Sequence, residues 1–296
     1  MYLTERFLAI LAALGSAASW ALGAVLFKRI GEHMSAGGMT LAKGIVGMIL
    51  LGAASLIEGF EPLDGKTWIL LIASGLIGIS LGDTFFFKAL KDLGAVSMLT
   101  MLVGGQILTI LLSFVFLAEW PNPYEWLGMT LILLGVGLAL QAEMGATDRR
   151  ASTRGIAFGF AAVACMAVSL IIVKKPLESV PSIQATFLRI ASGSAVMLAA
   201  GLCTGKMAEW LVPMKNLRFL GLFLTAVTIV TFGGFWLSMY ALKHLDVALA
   251  NILNSTEPIF ALPLAFLLTK EKIKAKSIIA AASVCSGILA IFYSRP

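Results

Sequence analysis

The chain is built from long apolar runs separated by short polar interruptions, and ten such runs fit along it: 7–27, 39–57, 67–87, 94–117, 125–141, 155–173, 183–202, 219–242, 247–268 and 277–293. Crossing about 30 Å of hydrocarbon takes roughly 20 residues of α-helix, so each run predicts a transmembrane helix. Barrel strands alternate polar and apolar residues over about ten positions. These runs are continuously apolar, which predicts an all-α integral membrane protein.

Composition agrees with that pattern. Charged residues make up 13% of the chain and mean hydropathy is +0.95, against a charged share near 25% in soluble domains. Arg6, the apolar stretch 7–14 and the small residues Gly15, Ser16, Ala17 and Ala18 imitate a signal peptide. The apolar run continues through Trp20 to Phe27, so it is expected to be retained as the first span. Cys165, Cys203 and Cys285 have no metal or redox spacing and are expected to be packing residues. The net charge of +6 is scattered through short loops, which suits anionic headgroups rather than nucleic acid.

The chain also repeats itself. F-K-A-L-K-D-L from Phe87 returns as M-Y-A-L-K-H-L from Met239, a shift of 152 residues that also places Gly82 on Gly234, Glu119 on Glu271 and Gly135 on Gly287. Nearer the N-terminus the shift is 146, placing Lys28 on Lys174, Thr40 on Thr186, Lys43 on Arg189 and Gly47 on Gly193. The difference falls in one loop, 59–66 in the first copy and the longer 204–218 in the second. Two units follow, 1–145 and 146–296, joined by a short polar link. Five spans per unit is an odd number, so the second unit enters the membrane from the opposite side and the repeat is inverted. Transporters use such repeats to build one site that opens alternately to each side.

Lys and Arg number 6 in the N-terminus, the even loops and the C-terminus, against 14 in the odd loops. The positive-inside rule then puts both termini outside the cytoplasm.

Candidate chemistry lies where polar groups interrupt the spans, because an ionised side chain in hydrocarbon needs a partner, water or a route to the surface. Glu257 sits deep in the ninth span within N-S-T-E-P. Pro258 has no N–H for the carbonyl of Asn254, which predicts a helix break beside a polar site; a kink whose polar neighbours satisfy one another is the plainer alternative. Lys43 and Arg189 either flank a central cavity as a cationic pair, holding a substrate carboxylate or neutralising Glu257, or snorkel to the headgroups. Asp83 has Phe235 as its counterpart, so it marks a specialised position or else pairs with Lys88. Trp20, Trp236 and Tyr240 are candidates to line a pocket for a partly apolar ligand. Gly104, Gly105, Gly135 and Gly137 are expected to permit close helix approach. His33 and His244 fall in loops, and no metal site, cofactor motif or catalytic constellation is present in the sequence.

The aromatic-A-L-K segment after the third and eighth spans, E-P-I-F-A from Glu257, the glutamates Glu119 and Glu271 and the glycines Gly135 and Gly287 resemble the EamA-type branch of the drug/metabolite transporter superfamily. The resemblance covers both copies. It implies ten helices in two inverted five-helix repeats, a central cavity, and export or exchange of small metabolites, often amino acids or their analogues. It also implies that Glu119 and Glu271 are structural rather than ligand-binding. Cytoplasmic termini are usual for the family, in conflict with the charge count, and Gly105-Gln106 stands where the second copy has Glu257-Pro258, so any site is asymmetric.

The expectation is therefore a secondary transporter in a lipid bilayer, in a bacterial inner (plasma) membrane. Its small-molecule substrate would sit near Glu257, Asn254, Lys43, Arg189 and Asp83, with Glu257 as the candidate proton-coupling group. A non-transporting membrane scaffold and an intramembrane enzyme are the alternatives. Substrate identity and oligomeric state are not legible.

Overall fold

The computed structural model describes residues 2–93, 95–143, 152–260 and 275–293, and every regular element among them is helical. In chain order the helices are α1 (Tyr2–Gly31), α2 (Ala36–Glu58), α3 (Gly65–Leu93), α4 (Ala95–Leu117), α5 (Pro123–Glu143), α6 (Thr153–Ser179), α7 (Ser182–Cys203), α8 (Leu217–His244), α9 (Val247–Asn254) and α10 (Ala275–Phe292).

Among the described residues, seven helices are long and apolar enough to cross a membrane, matching expected spans one to three and five to eight. Met101–Leu117 and Ile278–Phe292 are shorter apolar helices. The ninth run is not one continuous helix: α9 ends at Asn254, residues 255–256 form a turn, and helix resumes at 257. Its remainder, 261–268, and Glu271 lie outside the described residues. The 204–218 loop is partly helical, with a short helix at Met207–Leu211 and a 3-10 turn at Val212–Lys215. Trp210 from this segment covers Gly37 and Gly201.

Local sequence explains where the helices start. Asp64 caps α3 by accepting from the backbone N–H of Lys66 and Thr67, and its counterpart Asn216 caps α8 through Arg218 and Phe219. Side-chain oxygens at these positions satisfy amide hydrogens that the first helical turn leaves without partners. Asn122 and Glu125 form a reciprocal cap on α5, Asn122 Oδ1 accepting from Glu125 N and Glu125 Oε2 accepting from Asn122 N.

Both α3 and α8 contain a π-helical segment in their middle, at Leu76–Gly82 and Ile229–Trp236. Widened turns of this kind reset the angular phase of the residues that follow and recur at functional sites. Asp83 and Phe235, related by the 152-residue register, stand at the downstream ends of these segments.

Contacts between helices recur with their positions exchanged. A Cβ at Gly47 would stand 3.3 Å from Thr231 Oγ1, and one at Gly193, the counterpart of Gly47, would stand 2.9 Å from Ile79 Cβ, the counterpart of Thr231. A Cβ at Gly135 would lie 2.7 Å from the Ala280 carbonyl oxygen, and one at Gly287 would lie 2.6 Å from the Gly128 carbonyl oxygen. Ser283 Oγ donates to the Leu131 carbonyl at 2.8 Å, across a separation of 152 residues. Helices α2 and α7 pack antiparallel, as do α5 and α10; α1 lies on α8 and α3 on α6. The expected close approach holds for Gly105 and Gly135, whereas Gly104 and Gly137 face open space.

Candidate functional site

The centre of the bundle holds a charged group assembled from α2, α3 and α7. Lys43 Nζ donates to Asp83 Oδ2 in a buried ion pair, with the two residues 4% and 6% exposed. The same ammonium lies 4.7 Å from the centroid of the Phe235 ring and 5.5 Å from that of Phe87, so aromatic faces supply much of the remaining shell. Asp83 and its counterpart Phe235 thus meet on one cation. Asp83 does not pair with Lys88, whose ammonium lies over the Phe158 and Phe85 rings.

Arg189 is 5% exposed, and like Lys43 it does not snorkel. Its Nη2 donates to Ser169 Oγ at 2.9 Å and its Nη1 approaches the Met239 thioether sulfur at 2.7 Å, while Nε has no hydrogen-bond partner. The charge of Asp83 reaches it, yet no ion pair to Arg189 is present among the described residues. Ser169 is itself held by Ser74: Ser169 Oγ donates to the Ser74 carbonyl at 2.7 Å, and Ser74 Oγ donates to the Ser169 carbonyl at 3.2 Å. Two glycines make this approach feasible. A Cβ at Gly75 would stand 2.8 Å from Arg189 Cα, and one at Gly78 would stand 2.8 Å from Ser169 Cβ.

A second polar group surrounds the end of α9. Asn254 Nδ2 donates to Ser238 Oγ at 2.8 Å, leaving its Oδ1 buried without a partner, and Asn251 Nδ2 is likewise unpartnered, as is Gln106 Oε1 on α4. The Ser255 N–H closes α9 on the Asn251 and Ile252 carbonyls, and Ile259 N–H bonds the Thr256 carbonyl around Pro258. The break expected at Pro258 therefore occurs just upstream, at 255–256. Glu257 is half-buried, and the expectation that Lys43 or Arg189 neutralises it is not met: neither forms an ion pair with it, and no described cation acts on its carboxyl.

The aromatic candidates divide. Trp236 Nε1 donates to Ser182 Oγ at 3.2 Å, fixing the ring beside the start of α7. Trp20 packs edge-on against Phe235, centroids 4.9 Å apart, and so backs the ring beneath Lys43. Tyr240 packs at a tilt of 45° against His244, ring centroids 4.7 Å apart, and His244 is the last residue of α8 rather than a loop residue. Cys203 and Cys285 are exposed, so only the half-buried Cys165 is placed to act as packing.

The repeated A-L-K lysines have matched partners at the helix ends. Lys91 Nζ donates to the Met34 carbonyl at 3.1 Å and Lys243 Nζ to the Val180 carbonyl at 2.8 Å, positions related by the two registers. Lys174 Nζ donates to the Leu242 and Leu245 carbonyls at 2.8 and 2.6 Å. Ala118, with φ +53°, turns the chain sharply after α4. Glu119 Oε2 then accepts from the Val247 N–H at the start of α9, at 2.8 Å. This is a structural role, joining a loop of the first half to a helix of the second. Burial, with the nearby Asp246 carboxylate, pushes the Glu119 carboxyl up to about 7, while Lys174 acts in the opposite sense.

Elsewhere Arg6 joins the start of α1 to Glu125 on α5 at 3.0 Å, and Gln184 on α7 bonds the backbone of Glu61. Gln106 stands out in the sequence as the counterpart of Pro258, whereas Ser74, Ser169, Ser182, Ser238 and Asn251 have no such mark. Hydroxyl residues in spans mostly bond their own preceding turn, as Thr40, Thr186 and Ser194 do here, so the few that reach across helices carry no signature of their own.

Comparison with known proteins bears on the whole chain. A solved structure with 18% sequence identity superposes over 99% of each chain with a TM-score of 0.74, which establishes a shared fold. The uncharacterized transporter YxxF of Bacillus subtilis (strain 168) is 27% identical over 139 residues, a match spanning 45% of this chain and 45% of that protein. The profile of the EamA-like transporter family matches residues 7–141 and again 153–293. Two matches that together take in nearly the entire sequence, on an all-helical fold with long apolar helices, show that the chain belongs to the EamA-like transporter family.

Proposed function

We propose that the protein is a secondary transporter that exports or exchanges a small metabolite, with an amino acid or analogue as first candidate, by alternating access in a bacterial inner membrane. The two units, 1–145 and 146–296, act as inverted five-helix repeats around one site. The observation that carries this reading is the exchange of positions in the helix contacts, Gly47 with Thr231 and Gly193 with Ile79, around matched π segments in α3 and α8. Such an arrangement gives two related packings of similar energy, one closed at each membrane face. The site comprises Lys43, Asp83 and Arg189 at the centre, with Asn254 and Glu257 at the break after α9 and Pro258 keeping that break open. Trp20 and Trp236 set its walls.

Glu257 is the proton-coupling group of this reading, because it is the acidic side chain at the broken helix that no described cation neutralises. Reconstitution tests both parts. Candidate metabolites loaded into proteoliposomes should exchange in a protein-dependent manner, and a Glu257→Gln variant should lose the response to an imposed pH gradient. Full rate and unchanged pH dependence in that variant would remove Glu257 from the coupling step.

A further inference from the structure

The charged group at the centre is not neutral. Lys43 and Arg189 contribute two positive charges and Asp83 one negative charge, leaving one positive charge in excess among three side chains that are each at least nine-tenths buried. Asp83 is committed to Lys43, whose ammonium also has two aromatic faces. Arg189 hydrogen-bonds only neutral groups, a serine hydroxyl and a thioether, its Nε–H has no acceptor, and the charge of Asp83 acts on it without an ion pair. Burying a cation in this way is costly, and buried charges in membrane proteins are paired or meet a ligand.

The support for Arg189 is also one-sided. Ser169 bonds its guanidinium and Ser74 holds Ser169, whereas the positions matching them under the two registers are Gly23 and Ala226. The repeat-related positions thus differ in kind: serines from both copies set the arginine fork, while Asp83 of the first copy neutralises the lysine.

We propose that Arg189 is the docking point for the anionic group of the substrate, so that the carrier takes small molecules bearing a single oxyanion, carboxylates first among them. One negative charge brings the group to neutrality. A guanidinium presents its N–H donors in a planar fork that matches two carboxylate oxygens, which a point-charge cation does not. Ser169 acts as a positioning residue, since it fixes the fork without meeting the substrate. The inference rests on the site reading given above and assigns that site its substrate class.

The test is ligand-induced thermal stabilisation of the purified full-length protein in detergent. The probes are L-amino acids against their carboxamides, benzoate against benzamide, inorganic phosphate and sodium chloride. At least one carboxylate should raise Tm while its matched amide does not, and Arg189→Gln should weaken its apparent affinity about tenfold or more, as loss of a charge-assisted contact requires. Without ligand, Arg189→Gln should unfold at or above the wild-type temperature, because it removes an unpaired buried charge. Arg189→Lys keeps the charge but not the fork, and should recover part of the affinity.

Equal stabilisation by an amide, an equal effect of chloride alone, a shift that survives in Arg189→Gln, or no shift from any carboxylate overturns the assignment. Binding that depends on Arg189 without any vesicle transport would sink the transporter reading and leave the anion site standing. Transport of an uncharged compound that is indifferent to Arg189 would do the reverse.

Discussion

Replacing Asp83 with Asn would leave the Lys43 ammonium and the Arg189 guanidinium together in the bundle interior with no carboxylate between them. At an effective dielectric of about 20, two unit charges about 4 Å apart attract by about 4 kcal/mol. The Phe235 and Phe87 rings stay beneath the ammonium and retain about 0.5–2 kcal/mol of attraction. Repulsion from Arg189, no longer offset, adds to the loss. Breaking a buried pair by removing one partner costs about 3–5 kcal/mol, and the 4% and 6% exposure of these residues places them in that regime rather than with surface pairs worth about 0.2–1 kcal/mol. The paired replacement Lys43→Met with Asp83→Leu removes both charges and should cost little or even stabilise. Equilibrium unfolding in mixed dodecyl maltoside and SDS micelles, run as a double-mutant cycle, reads the coupling directly. Single variants that each cost under about 1 kcal/mol, with no coupling between them, would refute the view that this pair is desolvated and mutually dependent.

Three further outcomes follow from contacts away from the centre. The Glu119 carboxyl is raised from an ordinary 4.5 to about 7, so the folded state holds a proton that the unfolded chain releases; its contribution to stability is full below about pH 4.5 and is lost as pH rises through about 7. Glu119→Gln should flatten the dependence of Tm on pH between those values, and an unaltered slope would contradict the assignment. Lys243→Met removes a charge-assisted bond from a half-buried site and should cost about 1–2 kcal/mol, whereas Lys91→Met, whose lysine is exposed, should cost less than about 1 kcal/mol; micelle unfolding showing the opposite order would count against both latches. Gly75→Ala places a methyl group 2.8 Å from Arg189 Cα and should cost about 1–3 kcal/mol, while Gly104→Ala meets no atom within 4 Å and should be neutral or slightly stabilising.

The helical class and the matching of Lys43 with Arg189 were legible because hydrophobic run length and a long ungapped register survive without any knowledge of packing. The partners of those cations were not. On a continuously apolar helix the sequence does not say which face turns inward, and the π segments that lead to Asp83 and end around Phe235 reset that face within the helix. Asp83 was therefore open to pairing with Lys88, five residues along its own helix, and the structure instead brings it to α2. The same uncertainty of facing made snorkelling a fair reading for Lys43 and Arg189, because their distance from the helix start is short while their burial depends on neighbours far along the chain. Glu257 shows the converse case. Its depth in the ninth span was evident, but the cationic partners proposed for it were already engaged by Asp83, Ser169 and Met239. The structural part of Glu119, implied by family resemblance, acquires its physical meaning only once the start of α9 is seen to lie against the end of α4.

Counterflow in proteoliposomes tests the transporter reading most directly. Vesicles loaded with a high concentration of the unlabelled carboxylate that best stabilises the protein, and diluted into a trace of the labelled form, should show a transient accumulation of label above its equilibrium level. Protein-free vesicles and vesicles carrying Arg189→Gln should show none. Label that only equilibrates, at a rate independent of the internal pool, would contradict a single site opening alternately to the two sides.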